Sequence, residues 1–274
     1  MKKLITICAV VIMMLVISSV VQAAYFVTDG FETAWSGDYA TGWDNEGYRH
    51  GEAPGATMQQ VDLSSTGRTG YGVKLTANTV PDLGFDPWWA AVNRTDVDDS
   101  KMLKQYDPWL SVDYYDAGHS TGNDATGQLY AVPSWVNMYT DGEDWTDVQF
   151  GGRTVAETQY YYVAAGQNSP GWQATNTSRS ETTAAWVNLK MQLSSLDGKI
   201  HFYINGAEVG ASYRSDYIDL TSLILNVNYD TPLSAWGENK PSVIFDNFEY
   251  GSSVPEPVTI AMLTLGGLLL RRKK

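Results

Sequence analysis

Between Tyr25 and Ser253 short runs of apolar residues alternate at period two, while the 3.6-residue period of an amphipathic helix is nearly absent. A period of two puts alternate side chains on opposite faces of a pleated strand, so this chain can bury its apolar half only by stacking sheets. Strands are expected at 71–77, 89–93, 109–115, 128–139, 145–150, 158–164, 185–193, 199–204, 207–209, 223–229 and 243–250, with a short helical turn near 98–104. Gly, Asn, Asp and Pro punctuate these runs at short spacing, as in a sandwich and unlike a βαβ array. The 10 Trp, 17 Tyr and 7 Phe supply ample surface for one core. No repeat and no Pro- or Ser-rich linker divides the body, so one all-β domain is expected over 24–250, followed by a linker at 251–254.

The sharpest local signal is Asn205-Gly206, the residue pair of a type I′ hairpin turn, between Lys199–Ile204 and Ala207–Gly210. Before it lie a Trp-led strand, Trp186–Leu193, and an Asp197-Gly198 connection. Over about 25 residues this order resembles the concanavalin A-like lectin/glucanase (laminin G-type) jelly rolls. The resemblance implies two curved antiparallel sheets with a concave face, a fold used for glycan binding, for glycan cleavage, and for neither.

Parity divides the strands into two faces. Val187, Leu189, Met191 and Leu193 oppose Trp186, Asn188 and Lys190; Ile200, Phe202 and Ile204 oppose His201 and Tyr203. Leu110, Val112 and Tyr114 oppose Trp109, Ser111, Asp113 and Tyr115, and Val136 and Met138 oppose Trp135, Asn137 and Tyr139. Aromatic rings stack on sugar C–H surfaces while amides and carboxylates bind hydroxyls, so Trp109, Asp113, Trp135, Asn137, Tyr139, Trp186, Asn188 and Tyr203 are the candidate glycan ligands. The alternative is that these aromatics pack under loops.

Catalytic signatures are missing. Glycosidases of the jelly-roll class carry Glu-x-Asp-x-(x)-Glu on one strand, which sets two carboxyls about 5–5.5 Å apart for a retaining reaction. Asp113-Tyr-Tyr-Asp116 fails that parity, and 141–147 reads as an acidic turn. There is no His-Glu-x-x-His or phosphate-binding glycine loop, and His50, His119 and His201 are isolated. Calcium is the one cofactor the residues suggest, since it takes oxygen ligands from carboxylates and carbonyls. Asp29, Glu32 and Asp246 resemble the ion site that carbohydrate-binding jelly rolls hold between their first and last strands; solvated surface acids are the alternative.

Both ends read as targeting segments. Lys2 and Lys3, the apolar run 4–16 and the Val21-Gln22-Ala23 site form a secretory signal over 1–23, and the sole cysteine, Cys8, leaves with it. At the other end Pro255-Glu256-Pro257, the apolar run 258–270 and Arg271-Arg272-Lys273-Lys274 make a helix of about 20 Å, short for a full span. By physics this is a tail anchor or a sorting tail. The order resembles the PEP-CTERM signal of Gram-negative bacteria, which implies an exosortase, a membrane-embedded processing enzyme, as partner in cells that make exopolysaccharide. Without Lys2, Lys3, the four terminal cations and Glu256 the body is left with a net charge of −18, against −13 for the whole chain. Nucleic acid and anionic bilayer surfaces are thereby disfavoured. The sequence thus leads to an exported, noncatalytic, glycan-binding protein of the cell surface or extracellular matrix, held to the membrane by its 255–274 tail. A jelly-roll glycoside hydrolase or lyase and a structural matrix protein without ligand are the alternatives.

Overall fold

The computed structural model describes residues 25–35, 37–44, 56–77, 89–118, 126–132, 148–152, 160–165, 173–180, 183–228 and 240–253. The signal at 1–23, the tail at 255–274, Trp135, Asn137, Tyr139 and the acidic turn at 141–147 lie outside the described residues.

Fifteen strands and three short 3-10 turns make up the described chain. The first strands are β1 (Tyr25–Asp29), β2 (Trp43–Asp44), β3 (Ala56–Asp62), β4 (Tyr71–Ala77), β5 (Trp89–Arg94), β6 (Trp109–Asp116), β7 (Thr126–Val132) and β8 (Val148–Gly152). They are followed by β9 (Tyr160–Ala165), β10 (Gln173–Ser178), β11 (Ala185–Leu193), β12 (Ile200–Ile204), β13 (Ala207–Ala211), β14 (Thr221–Asn228) and β15 (Ser242–Ser252). One sheet has eight strands, ordered β13-β12-β11-β6-β15-β4-β3 with β1 also on β15; the other has seven, ordered β10-β9-β8-β7-β14-β5-β2. Every pairing is antiparallel. The protein is a two-sheet antiparallel jelly-roll sandwich.

The aliphatic face expected from parity forms the core. Leu110, Val112, Tyr114, Leu189, Met191, Leu193, Ile200 and Phe202 are all sealed from solvent, and Phe150 of the second sheet meets Phe202 at 5.1 Å. Asn205 and Gly206 both adopt positive φ, 50° and 79°, as the hairpin turn requires.

β15 breaks parity, and that break shapes the site. Val243 and Phe245 point into the core, and so do Phe248 and Tyr250. The switch from odd to even positions is made by a bulge between Asp246 and Glu249, where Asn247 takes φ 48°. Asp246 and Glu249, three residues apart, therefore lie on the face away from the core.

Candidate functional site

The outer face of the eight-stranded sheet is built in rows set by strand register. One row runs Ile244, Tyr115, Trp186, and the next Asp246, Asp113, Asn188, across β15, β6 and β11. A third runs Thr28, Glu249, Ser111, Lys190, Tyr203, Glu208, from β1 to β13. The last runs Phe26, Gly251, Trp109, Gln192, His201.

The β3–β4 connection lies over the first two rows and leaves them partly exposed, Asp113 by 13%. A 3-10 turn at Ser64–Thr66 and Gly67 at φ 81° bring Arg68 over the sheet. Its guanidinium lies 4.0 Å from the centre of the Trp186 ring, and Nη1 meets Asp113 at 2.8 Å and Asp246 at 3.0 Å. Trp186 Nε1 donates to the Thr66 carbonyl at 3.2 Å. Asp113 also accepts from Asn188 Nδ2 at 2.8 Å and Asn247 Nδ2 at 3.1 Å, so its charge is held by three donors. Burial raises the Asp246 pKa, and the Asp113 charge adds to this against the donors Asn247 and Arg68.

The last two rows centre on a lysine set between two aromatic rings. Lys190 Nζ sits 5.0 Å from the Trp109 ring and 5.7 Å from the Tyr203 ring, within cation–π range. Burial lowers the Lys190 pKa, although the nearby Glu249 charge opposes this. Glu249 moves the other way: burial raises its pKa, the Asp113 charge raises it further, and Lys190 opposes them. Phe26 stacks on Trp109 at 5.8 Å and extends the platform to the sheet edge.

Of the candidate glycan ligands, the structure brings Trp109, Asp113, Trp186, Asn188 and Tyr203 to one face, with Trp186 roofed by Arg68. Trp135, Asn137 and Tyr139 are outside the described residues. Glu249, Lys190 and Arg68 were not among the candidates. The apolar spacing Phe245, Phe248 was the available sign that a bulge would place Glu249 outward, whereas nothing in the Arg68 segment marks its partners.

The three carboxylates expected to share a calcium ion each serve separate donors. Asp29 accepts from Trp43 Nε1 at 2.9 Å, Arg94 Nη1 at 2.8 Å and the Phe31 amide at 3.1 Å. Glu32 accepts from the Tyr71 amide at 3.2 Å, and Asp246 belongs to Arg68. Among the described residues no group of three or more His, Cys, Asp or Glu is placed to hold a metal ion.

His201 closes the last row between two acids, with Nδ1 2.7 Å from Glu208 and Nε2 3.1 Å from Asp197. Burial lowers its pKa, but the hydrogen bonds and charges of Glu208 and Asp197 outweigh burial and raise it. A raised folded pKa means that the imidazolium's stabilisation is complete below the unfolded value of about 6.5 and is lost as pH rises through the folded one. An NMR titration of His201 should show a midpoint above about 6.5 that drops in Glu208→Gln. An unmoved midpoint in that variant would remove the acid clamp.

A jelly-roll sandwich with an aromatic, carboxylate-bearing sheet face is the class these features define. No protein-family model matches the chain, and no curated protein is similar to it in sequence. Solved structures are similar in fold. A β-1,3-1,4-glucanase (lichenase) derived from a mouse hindgut metagenome matches at TM-score 0.48 and 12% identity, over 84% of this chain and all of the other. The alginate lyase AlgAT5 of polysaccharide lyase family 7 matches at TM-score 0.43 and 13% identity, covering 75% of this chain and 85% of that one. The carbohydrate-binding module CBM66 of Bacillus subtilis gives 0.37 and 12%, over 72% and 96%. The expectation of a noncatalytic protein is corrected at this point, because enzymes stand among these neighbours and the motif search on which it rested required both carboxyls on one strand. Here Asp113 and Glu249 come from two strands.

Proposed function

We propose that the protein is an exported polysaccharide hydrolase whose reaction centre lies on the outer face of the eight-stranded sheet. The observation that carries this reading is Glu249: a half-buried carboxyl with a raised pKa, on the strand beside the ion-paired Asp113. Glu249 faces Ser111, two residues from Asp113 along β6, so the two acids are diagonal neighbours. Such neighbours are about 7–8 Å apart. The spacing is one of backbones, and side chains of this reach can set the carboxyls at the roughly 6.5–9.5 Å that admits a water in an inverting hydrolysis. Glu249 gives its proton to the departing glycosidic oxygen; Asp113 takes one from the water that attacks the anomeric carbon. The C–O bond to the leaving sugar breaks as the new one forms, and Trp109 and Tyr203 supply stacking surfaces for flanking sugars.

Residues 1–23 support export, and the Pro255-Glu256-Pro257 tail supports delivery to the envelope through an exosortase, where exopolysaccharide is the nearest substrate. Incubation of the purified protein with a panel of neutral and acidic glycans tests the enzyme reading. New reducing ends carrying oxygen from labelled water are expected. Unsaturated products would replace hydrolysis by elimination, and no release from any glycan would overturn the proposal.

A further inference from the structure

Four of the five exposed large hydrophobic side chains among the described residues gather at one end of the eight-stranded sheet. They are Leu196 at 96% exposure, Tyr213 at 62%, Phe26 at 50% and Ile218 at 38%. Register fixes their level. Tyr25 lies opposite Ser252, Gly251 opposite Trp109, and Trp109 opposite Gln192. The segments that run directly into Trp109 and directly out of Leu193 and Ala211 therefore lie beyond the same sheet end. Hydrogen bonds tie these segments together: the Lys104 amide donates to the Ile218 carbonyl at 2.8 Å, and the Ser195 amide to Asp107 at 2.6 Å. The turn before Lys199 packs on Ser215, whose carbonyl closes the space beside Gly198.

The chain leaves the sandwich at this same end. The Ser253 amide donates to the Tyr106 carbonyl at 2.6 Å, and Val254 follows. Only residues 254–257 separate Ser253 from the apolar run 258–270. Four residues reach at most about 14 Å. When the run is in a bilayer, the end of the sandwich that carries Leu196 and Tyr213 is held against the lipid.

We infer that this tip, Leu196 and Tyr213 foremost with Phe26 and Ile218 beside them, is a membrane-contact surface that seats the domain on the bilayer that holds its tail. This rests on reading 255–274 as a membrane-inserting segment. Tyr suits the interface, with an apolar ring and a polar tip. Two acids at this end are held by donors, Asp216 by Arg214 at 2.8 Å and Asp197 by His201 at 3.1 Å. The acidic body gives no attraction to anionic lipid, so the contact is apolar and insensitive to salt. Seated this way, the outer face stands with its rows parallel to the membrane surface, the Phe26–Trp109 row nearest the lipid.

The test uses the mature chain, residues 24–274, which lacks Cys8, reconstituted in phosphatidylcholine vesicles. Single cysteines at Leu196→Cys and Tyr213→Cys carry an environment-sensitive fluorophore. Thr57→Cys serves as the distant control, because Thr57 is exposed and level with Thr76 and Ser242, about 30 Å along β15 from Ser252. The chain should float with the vesicles. Labels at 196 and 213 should shift to the blue and be quenched by lipid-borne nitroxide, at low and high salt alike, while the label at 57 stays aqueous. A floating chain with all three labels aqueous, or with all three equally quenched, overturns the membrane-contact surface and leaves the anchor in place. A chain that does not float removes the anchor, and this surface with it.

Discussion

Arg179→Met is expected to destabilise the protein by about 3–5 kcal/mol, the cost of breaking a buried ion pair from one side. Arg179 directly follows β10 of the seven-stranded sheet, and Asp116 ends β6 of the eight-stranded one, so their pairing ties the sheets together. The two side chains are 1% and 6% exposed. The guanidinium engages both carboxylate oxygens, Nε to Oδ2 at 2.8 Å and Nη2 to Oδ1 at 2.7 Å. Tyr114 Oη and the Gly118 amide add donors at 3.0 Å each. A bidentate pair of this kind is strong because its two bonds share one fixed geometry.

Removing the arginine strands a charge whose desolvation is no longer compensated, which is why one-sided loss costs more than the pair itself is worth. In urea the unfolding midpoint should fall by about 1 M or more, for a slope of roughly 3 kcal/mol/M, with the slope unchanged. The paired replacement Asp116→Leu with Arg179→Met should recover much of the loss, since apolar groups of similar volume carry no such penalty. A loss under about 1 kcal/mol in Arg179→Met would mean that the pair is solvated in solution.

The elements legible in the sequence are those where one rule acts alone. β11 and β12 alternate strictly, so the split between Leu189 or Met191 inside and Asn188 or Lys190 outside follows from parity, and Asn205-Gly206 marks its own turn. β15 was legible only as a strand. Its bulge changes parity midway, and a residue-by-residue alternation assigns Glu249 to the wrong face. Long-range charge partners leave no local trace at all. Asp246 looks like a free ligand beside other acids, yet the guanidinium that holds it lies 178 positions earlier in the chain. Asp116 likewise finds Arg179 across the sandwich, 63 positions on. Both partnerships depend on which strands become neighbours, and that is settled by burial over the whole fold.

Glu249→Gln is expected to lower the turnover rate for glycan hydrolysis by about 10²–10⁴-fold, the usual contribution of a general acid. The amide keeps the size and much of the hydrogen bonding of the carboxyl but has no proton to give. The wild-type rate should fall on the alkaline side as Glu249 ionises. Burial and the Asp113 charge place that fall above the ordinary glutamate value of about 4.3. Lys190 pulls the other way, so Lys190→Met should move the fall to still higher pH while the protein stays folded, since the lysine has an aliphatic stem and a methionine fills much the same space. Asp113→Asn should also abolish turnover, and in that variant the alkaline fall cannot be read. A Glu249→Gln protein that retains full activity, or a Lys190→Met protein whose alkaline limb does not move, would take the proton donor away from Glu249. A Glu249→Gln protein that loses turnover yet still binds the glycan with its KM unchanged would place the loss in proton transfer alone, as expected of a group that acts only in the transition state.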